Sequence, residues 1–385
     1  MPTVSTSVIV VICLIDLTQA SNLPSAIFNS DHKKNWAVLV AGSDGWSNYR
    51  HQSDVCHAYQ ILAGLGIPKE NIITFMYDDI ANNEENPFPG KIFNDYNHRD
   101  VYADVQIDYK GSDVNPEMFT RVMKGDKELK AAGRKVLDSG PQDNVFVYFS
   151  DHGARDLICF PEGDVSLHPT RLGNKKWCLR VLYVFIKFSA KLYATTAAKP
   201  SESSWAAFCW DETIDTCLAD EYSYNWMIDT ETTMGKLTLD KFQAHHMKED
   251  KAFTDSEHST VADSRPSSQA HIVGLMRRVM GATTEEKYES AKRRLHRALQ
   301  MGTIVKHTFD DFITRVEKRC QPSGKQMNML EQLKCFEAVF DVFKRHCFTI
   351  QQVPEVAQHV SKLHQLCGEG YQPEDLIDAV MNVCT

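Results

Sequence analysis

Short, fully apolar runs that stop at glycine or polar residues constrain this chain more than anything else in it. Trp36 to Ala41 ("WAVLVA") is apolar throughout and ends at Gly42. Ile72 to Tyr77 ("IITFMY"), Val145 to Phe149 ("VFVYF") and Val181 to Ile186 ("VLYVFI") have the same character. Runs this short, without alternation, suit strands covered on both faces, as in a parallel sheet between helices. After the first run, Ser53 offers an N-cap, and Val55, Ala58, Tyr59 and Leu62 recur at helical spacing. Gly64, Gly66 and Pro68 then stop the helix. Strand, helix, strand at this interval predicts an α/β fold with a mostly parallel sheet flanked by helices. Functional groups are expected just beyond the strands' C-terminal ends.

Two such ends carry reactive side chains. The run from Val145 leads into Ser150-Asp151-His152-Gly153, which sets a histidine in the crevice beside a glycine that permits close backbone approach. The run from Trp36 leads into "AGSDGWSNYRHQSD", which brings Asn48, Arg50 and His51 toward the same crevice. A histidine at a strand exit, facing a polar cluster from a neighbouring strand, is a candidate for proton transfer.

The rest of the chain has a different character. Residues Thr254 to Ala270 are polar, with almost nothing to bury, and read as a linker. Beyond them the spacing is helical: Thr283 and Glu286 can form a capping box, and Tyr288, Ala291, Leu295 and Leu299 share a face. Phe336, Val339, Phe340, Phe343 and Cys347 share another, as do Val353, Val356, Val360, Leu363 and Cys367, and Pro373 opens a last helix. Of the 11 cysteines, Cys320, Cys335, Cys347, Cys367 and Cys384 crowd this end of the chain. Their density predicts a small all-α domain stapled by two disulfides with one cysteine left over, and the sequence does not fix the pairing. With no C-x-x-C pair there, zinc is discounted.

Val8 to Ile15 is an unbroken apolar run followed by Thr18-Gln19-Ala20. It reads as the core of a signal peptide over residues 1–20, with a buried N-terminal strand as the alternative. The expected product is a soluble protein of the secretory pathway, with no membrane association after signal removal. A formal charge of −9 argues against a nucleic-acid partner. The basic stretch Lys292 to Arg297 has helical spacing and reads as a solvated helix face.

The blocks "WAVLVAGSDGWSNYRHQSDVCHAYQIL", "NIITFMYDDIA", "NPFPGKIFN", "DVYADVQIDYKGSDV", "SGPQDNVFVYFSDHGA", "LYATTAAKPSESSW" and "LADEYSYNWM" are collinear from Trp36 to Met227. Together they resemble the legumain family of asparaginyl endopeptidases. The resemblance implies a caspase-like peptidase domain over residues 21–250, a linker or activation segment over 251–284, and a helical, death-domain-like prodomain over 285–385. It implies the pairs Cys335–Cys367 and Cys347–Cys384. His152 matches the family's proton donor to the leaving amine, the Gly153 amide its oxyanion donor, Asn48 the residue that orients the histidine, and Asp151 its aspartate. Arg50, His51, Ser203 and Asp220 match the pocket that grips a substrate asparagine, and Trp205 stands where a tyrosine is usual. The family needs no cofactor and no metal. Its implied partners are protein or peptide substrates with Asn, or Asp at acidic pH, at the cleaved position, the chain's own prodomain, and cystatin-type inhibitors. Its implied compartments are the lysosome or vacuole, or the extracellular space.

The chain departs from the family at one decisive place. The Glu-Ala-Cys-Glu-Ser-Gly-Ser motif that supplies the nucleophile does not occur. If Val181 to Ile186 replaces the missing strand, Lys187-Phe188-Ser189 stands in the Glu-Ala-Cys positions. Ser189 is a poor nucleophile at acidic pH, and Cys178, the nearest thiol, precedes that strand. Asparagine is absent between Asn225 and Asn328, which excludes self-processing at Asn in that interval. Three readings follow: a protease chain that has lost its nucleophile segment, a pseudoprotease that binds Asn-peptides, and an interaction protein acting through its helical domain.

Overall fold

The computed structural model describes residues 10–14, 34–141, 143–154, 157–161, 193–198, 203–233, 263–324 and 327–385. Val10–Leu14 (β1), Asn35–Ala41 (β2), Ile72–Phe75 (β3), Asn144–Ser150 (β4) and Tyr193–Thr195 (β7) form one sheet in the order β3-β2-β4-β1-β7. β2 is parallel to both β3 and β4, with Ala41 opposite Ser150, so both strands empty at the same end of the sheet. Alternate side chains divide the core. Ala37, Leu39, Ala41 and Tyr148 pack with Trp226 on one face, and Val38, Val40, Val147 and Phe149 pack with Phe119 on the other. A strand buried on both faces reads as a continuous apolar run, and these do.

β1 is antiparallel to both β4 and β7, with Val10 opposite Phe149 and Cys13 opposite Tyr193. Val10–Leu14, part of the run expected to be a signal-peptide core, is a strand between β4 and β7. An uncharged run rich in β-branched residues suits a strand as well as a leader. Removal of residues 1–20 would leave β4 and β7 with facing unpaired edges. Mass spectrometry of the chain's N-terminus after export from a eukaryotic cell separates the two states: a start at Ser21 shows that β1 is lost, and a start at Met1 or Pro2 shows that it stays. Val181 to Ile186 lies outside the described residues.

Helix α1 spans Tyr49–Gly64 and begins earlier than the expected cap at Ser53. The 3-10 turn Trp46–Asn48 feeds directly into it. Ser53 lies inside the helix, where its hydroxyl donates to the Arg50 carbonyl at 2.9 Å. Arg50 and His51 are therefore helical first-turn residues rather than loop residues. Pro116–Met123 (α2) and Lys127–Ala131 (α3) complete one flank, and Glu221–Thr233 (α4) follows the two-residue strand Ala219–Asp220 (β9).

The stretch read as a linker folds onto the sheet domain where it is described. Arg265–Pro266 (β10) pairs antiparallel with Trp205–Ala207 (β8), and Ser267–Gln269 turns into helix Ala270–Met280 (α5). The polar side chains that suggested solvent are met by protein partners. Gly274 allows α5 to lie close to the loop before β9, because a Cβ there would stand 2.7 Å from the Asp215 carbonyl oxygen. Arg277 donates to the Ile214 carbonyl at 2.6 Å, and Arg278 pairs with Asp215 at 2.6 Å. Cys209–Cys217 closes that loop with a disulfide the cysteine distribution gave no reason to expect.

Glu285–Arg319 (α6), Met329–His346 (α7), Val360–Gly368 (α8) and Pro373–Cys384 (α9) form the helical end. α6 is capped by Thr284, whose side chain accepts from Lys287 N, one residue later than the expected box, and this moves Glu286 out of the N3 position. The reciprocal box occurs at Asn328 and Glu331 instead. Disulfides join Cys335 to Cys367 and Cys347 to Cys384. Phe309, Phe312, Val339, Phe343, Leu363 and Leu376 fill the core. The hairpin of Gly153–Ala154 (β5) with Leu157–Ile158 (β6), directly after His152, places Ala154, Leu157 and Cys159 in that same core. No described helix is long and apolar enough to cross a membrane.

Candidate active site

The parallel pairing of β2 with β4 brings their polar exits together. Gly42 N–H donates to the Ser150 carbonyl at 3.0 Å, which prolongs the ladder by one residue. A Cβ at Gly42 would stand 2.5 Å from Asp151 Oδ2 and 2.5 Å from the Cys159 carbonyl, so only glycine fits between them.

His152 follows directly on β4 and is buried. Its Nε2 lies 2.8 Å from Asn48 Oδ1, while Asn48 Nδ2 donates to the Asp44 carbonyl at 2.9 Å. The second bond fixes the amide: its nitrogen faces Asp44, so its oxygen faces the imidazole and Nε2 must carry the proton. Nδ1 is then the basic nitrogen. His51 meets His152 edge to face at 5.0 Å between ring centres, and Ser43 Oγ lies 2.5 Å from His51 Nδ1.

Arg50 is 1% exposed, and its Nε donates to Asp220 Oδ1 at 3.0 Å. Asp220 leaves β9 beside the first turn of α1, and His51 Nε2 stands 3.5 Å from its other oxygen. Arg50 Nη2, His51 Nε2 and Asp220 Oδ2 are buried and have no hydrogen-bond partner among the described residues. Buried polar atoms in that state are costly, and they mark the place of a missing partner. A guanidinium N–H beside a carboxylate oxygen complements a group that both accepts and donates.

Burial, then the charge of Arg50, then that of His271, hold His152 well below the usual histidine pKa. Burial, then Arg50, then His152 do the same to His51. Burial raises Asp151 well above the carboxylate range, and it raises Asp220 against the opposing pull of Arg50. Burial, and next the neighbouring Asp220, raise Asp54, whose carboxylate accepts the Asp220 N–H at 3.2 Å and Asn94 Nδ2 at 2.8 Å. Sequence reasoning missed Asp54, and nothing marks it in the chain beyond an acid at an otherwise apolar helix spacing. Ligand atoms of His51, Asp151 and His152 lie within 4.8 Å of one another, but Asn48 and Ser43 each engage one of the two imidazoles.

The structure thus brings together Asn48, Arg50, His51, Asp151, His152 and Asp220. Gly153 pairs with Ile158 in the following hairpin. Ser203 is half-buried just before β8, and it is Ser204, with its backbone and its hydroxyl, that engages the neighbouring chain. Trp205 stands on β8, the middle strand of the order β10-β8-β9, at 47% exposure. Cys178 and Ser189 lie outside the described residues. From the helical end, Gln351 Nε2 donates to the Gly42 carbonyl at 3.0 Å and approaches Asp151 Oδ2 at 3.4 Å.

Residues 35–175 and 182–272 match the family described as Peptidase C13, and residues 286–384 match the one described as Legumain, prodomain. A Hemoglobinase of Schistosoma japonicum is 40% identical over 408 residues, covering 92% of this chain and 94% of the relative. A Legumain of Rattus norvegicus is 35% identical, covering 92% and 93%. A Vacuolar-processing enzyme delta-isozyme of Arabidopsis thaliana is 31% identical, covering 91% and 90%. With both its sheet domain and its helical end matched in order, the chain belongs to the Peptidase C13, or legumain, family and carries that family's prodomain.

Proposed function

We propose that the chain has the zymogen layout of a legumain-type cysteine endopeptidase of the secretory pathway, destined for lysosome, vacuole or the exterior, with a pocket cut for asparagine at the cleaved position and without the motif that supplies the nucleophile. The observation that carries this is the unpaired set around Asp220. An asparagine carboxamide would accept from Arg50 Nη2 and donate to Asp220 Oδ2. An aspartate side chain imitates it only when protonated, near or below its ordinary pKa of about 4. His152 would take a proton at Nδ1 from the nucleophile and pass it to the leaving amine, Asn48 would fix the ring, and the Gly153 amide would stabilise the oxyanion.

Binding without turnover is the second reading, and it is favoured by the missing nucleophile motif. Among the described residues, Cys56 is held in the core with its thiol pKa raised by burial, Cys159 is buried in the core shared with the helical end, and Cys320 lies at the end of α6. The test is an assay at acidic pH on a fluorogenic peptide with Asn at the cleaved position, after the helical end has been trimmed by an added protease. No hydrolysis is expected, together with binding of an Asn-peptide in preference to its Gln counterpart. Turnover abolished by Cys178→Ala or Ser189→Ala would reverse the first expectation. Equal binding of Asn- and Gln-peptides would sink the pocket assignment.

A further inference from the structure

The basic run Lys292 to Arg297, expected to be a solvated helix face, has apolar company in the structure. From Lys292 to His307, α6 carries Lys292, Arg293, Arg294, Arg297 and Lys306 and no acid, on a chain whose formal charge is −9. Large apolar side chains collect on the same surface. Of the eight that are exposed among the described residues, Met276, Met280, Tyr288, Leu299 and Ile304 belong to α5 and α6, which pack against each other. Exposed apolar residues scattered singly are ordinary, but five on one helical pair mark an interaction surface. Helical spacing sorts those of α6 into two outward ridges. Tyr288, Lys292, Leu299 and Lys306 follow at i, i+4, i+11 and i+18, and Arg293, Arg297 and Ile304 at i, i+4 and i+11. Each ridge therefore mixes cations with apolar side chains. Ala291, Val305, Phe309 and Phe312 are buried on another side of the helix. Lys292 lies over the Tyr288 ring at 5.3 Å and pairs with Glu289, and Arg294 reaches Glu85 at 3.8 Å. Arg293 and Arg297 make no ion pair among the described residues.

We propose that α5 and the first half of α6 form a docking surface for a bilayer containing anionic phospholipid, with Lys292, Arg293, Arg297 and Lys306 against lipid phosphates and Tyr288, Leu299 and Ile304 in the headgroup boundary. Charge complementarity identifies the occupant. An acidic chain is repelled by an anionic bilayer except through a patch where its cations outnumber its acids, and residues 292–307 are such a patch. The apolar residues narrow the choice further. A purely ionic partner has no use for Leu299 and Ile304, which are 52% and 47% exposed, and a purely apolar one would bury cations without a counter-charge. A lipid headgroup layer offers both environments within one side-chain length. Long cationic side chains lay their stems along apolar neighbours and keep their heads among phosphates. Gln300 and Thr303, exposed between the two ridges, hold the contact at headgroup depth. The contact is peripheral, since no described helix is long and apolar enough to cross a membrane. It is also independent of whether the chain cleaves peptides.

The test is co-sedimentation of the full chain with vesicles of phosphatidylglycerol and phosphatidylcholine in equal parts, at pH 7 and about 0.05 M salt. Binding is expected there and not to vesicles of phosphatidylcholine alone. The double variant Arg293→Glu/Arg297→Glu should weaken it at least about tenfold. Leu299→Gln should weaken it about fivefold and leave its salt dependence unchanged, because it removes apolar contact and no charge. All three residues are exposed, so the variants keep the fold. Lys127→Glu/Lys130→Glu, on the exposed side of α3, makes the same change of charge elsewhere and should leave binding as it was. Equal loss in that control would overturn the surface, since net charge alone would then govern binding. Equal binding to both vesicle types overturns the phosphate contacts, and an unaltered Leu299→Gln overturns the apolar ones. Retention on an immobilised sulfated polysaccharide without vesicle binding would assign the patch to a different polyanion and sink the proposal.

Discussion

Replacing Arg50 by methionine is expected to remove about 3–5 kcal/mol of folding stability at pH 7 and to abolish binding of Asn-peptides. Both members of the Arg50–Asp220 pair are buried, and Asp54 stands directly behind Asp220. Without the guanidinium, three buried acids, Asp54, Asp151 and Asp220, face one another with no buried cation between them. Their pKa values are already raised, so the folded chain holds protons that the unfolded chain has released. Such groups withdraw stability as pH rises above the ordinary carboxylate value of about 4, and restore it as pH falls. The deficit of Arg50→Met therefore shrinks toward pH 5. Urea denaturation at pH 5 and 7 measures this, and an equal deficit at both values would show that the acids are not what the guanidinium serves. The double variant Arg50→Met/Asp220→Leu should recover much of the stability and none of the binding, since a pair replaced by apolar groups leaves no orphaned charge.

Removing the Cys335–Cys367 bridge as a double alanine variant is expected to lower the melting temperature of the helical end by about 15–30 °C. The bridge closes a sequence separation of 32 residues. Chain entropy assigns such a loop about 3.7 kcal/mol, and each kcal/mol moves a domain of about 100 residues by roughly 4–8 °C. Cys347–Cys384, across 37 residues, carries a similar amount, whereas Cys209–Cys217, across 8, carries about 2.5 kcal/mol. Full reduction should therefore cost the helices more than the sheet. Calorimetry on the oxidised double variant checks this, and a shift under about 5 °C would mean that the packing around Phe309 and Leu363 holds the helices without the bridge.

What could be read from the sequence followed physical uniqueness. Trp36 to Ala41 and Val145 to Phe149 announce themselves because few structures other than a doubly covered strand accept such runs, and their polar exits led to Asn48, Arg50 and His152. Val8 to Ile15 was ambiguous because a leader and an inner strand make the same demand for apolar residues. The start of α1 was misplaced because a charged arginine and a histidine look like loop residues, and only tertiary contact with Asp220 explains their burial. Ser267 was invisible for a related reason: a hydroxyl satisfied by Asp220 and Ser204 looks in sequence like one satisfied by water. The Cys209–Cys217 bridge lies outside the dense cysteine cluster at the helical end, so cysteine density does not point to it.

The short hairpin after His152 ties the two halves together. Ala154, Leu157 and Cys159 are buried in the same cluster as Phe309, Phe312 and Val339. A chain severed between its halves would consequently not drift apart in neutral solution, because separation lays bare a greasy patch two residues from the imidazole. Once apart, the sheet half has a limited lifetime, set by how soon another apolar surface covers that patch. Its loss from solution should accelerate with its own concentration, so dilution would preserve it longer than cold.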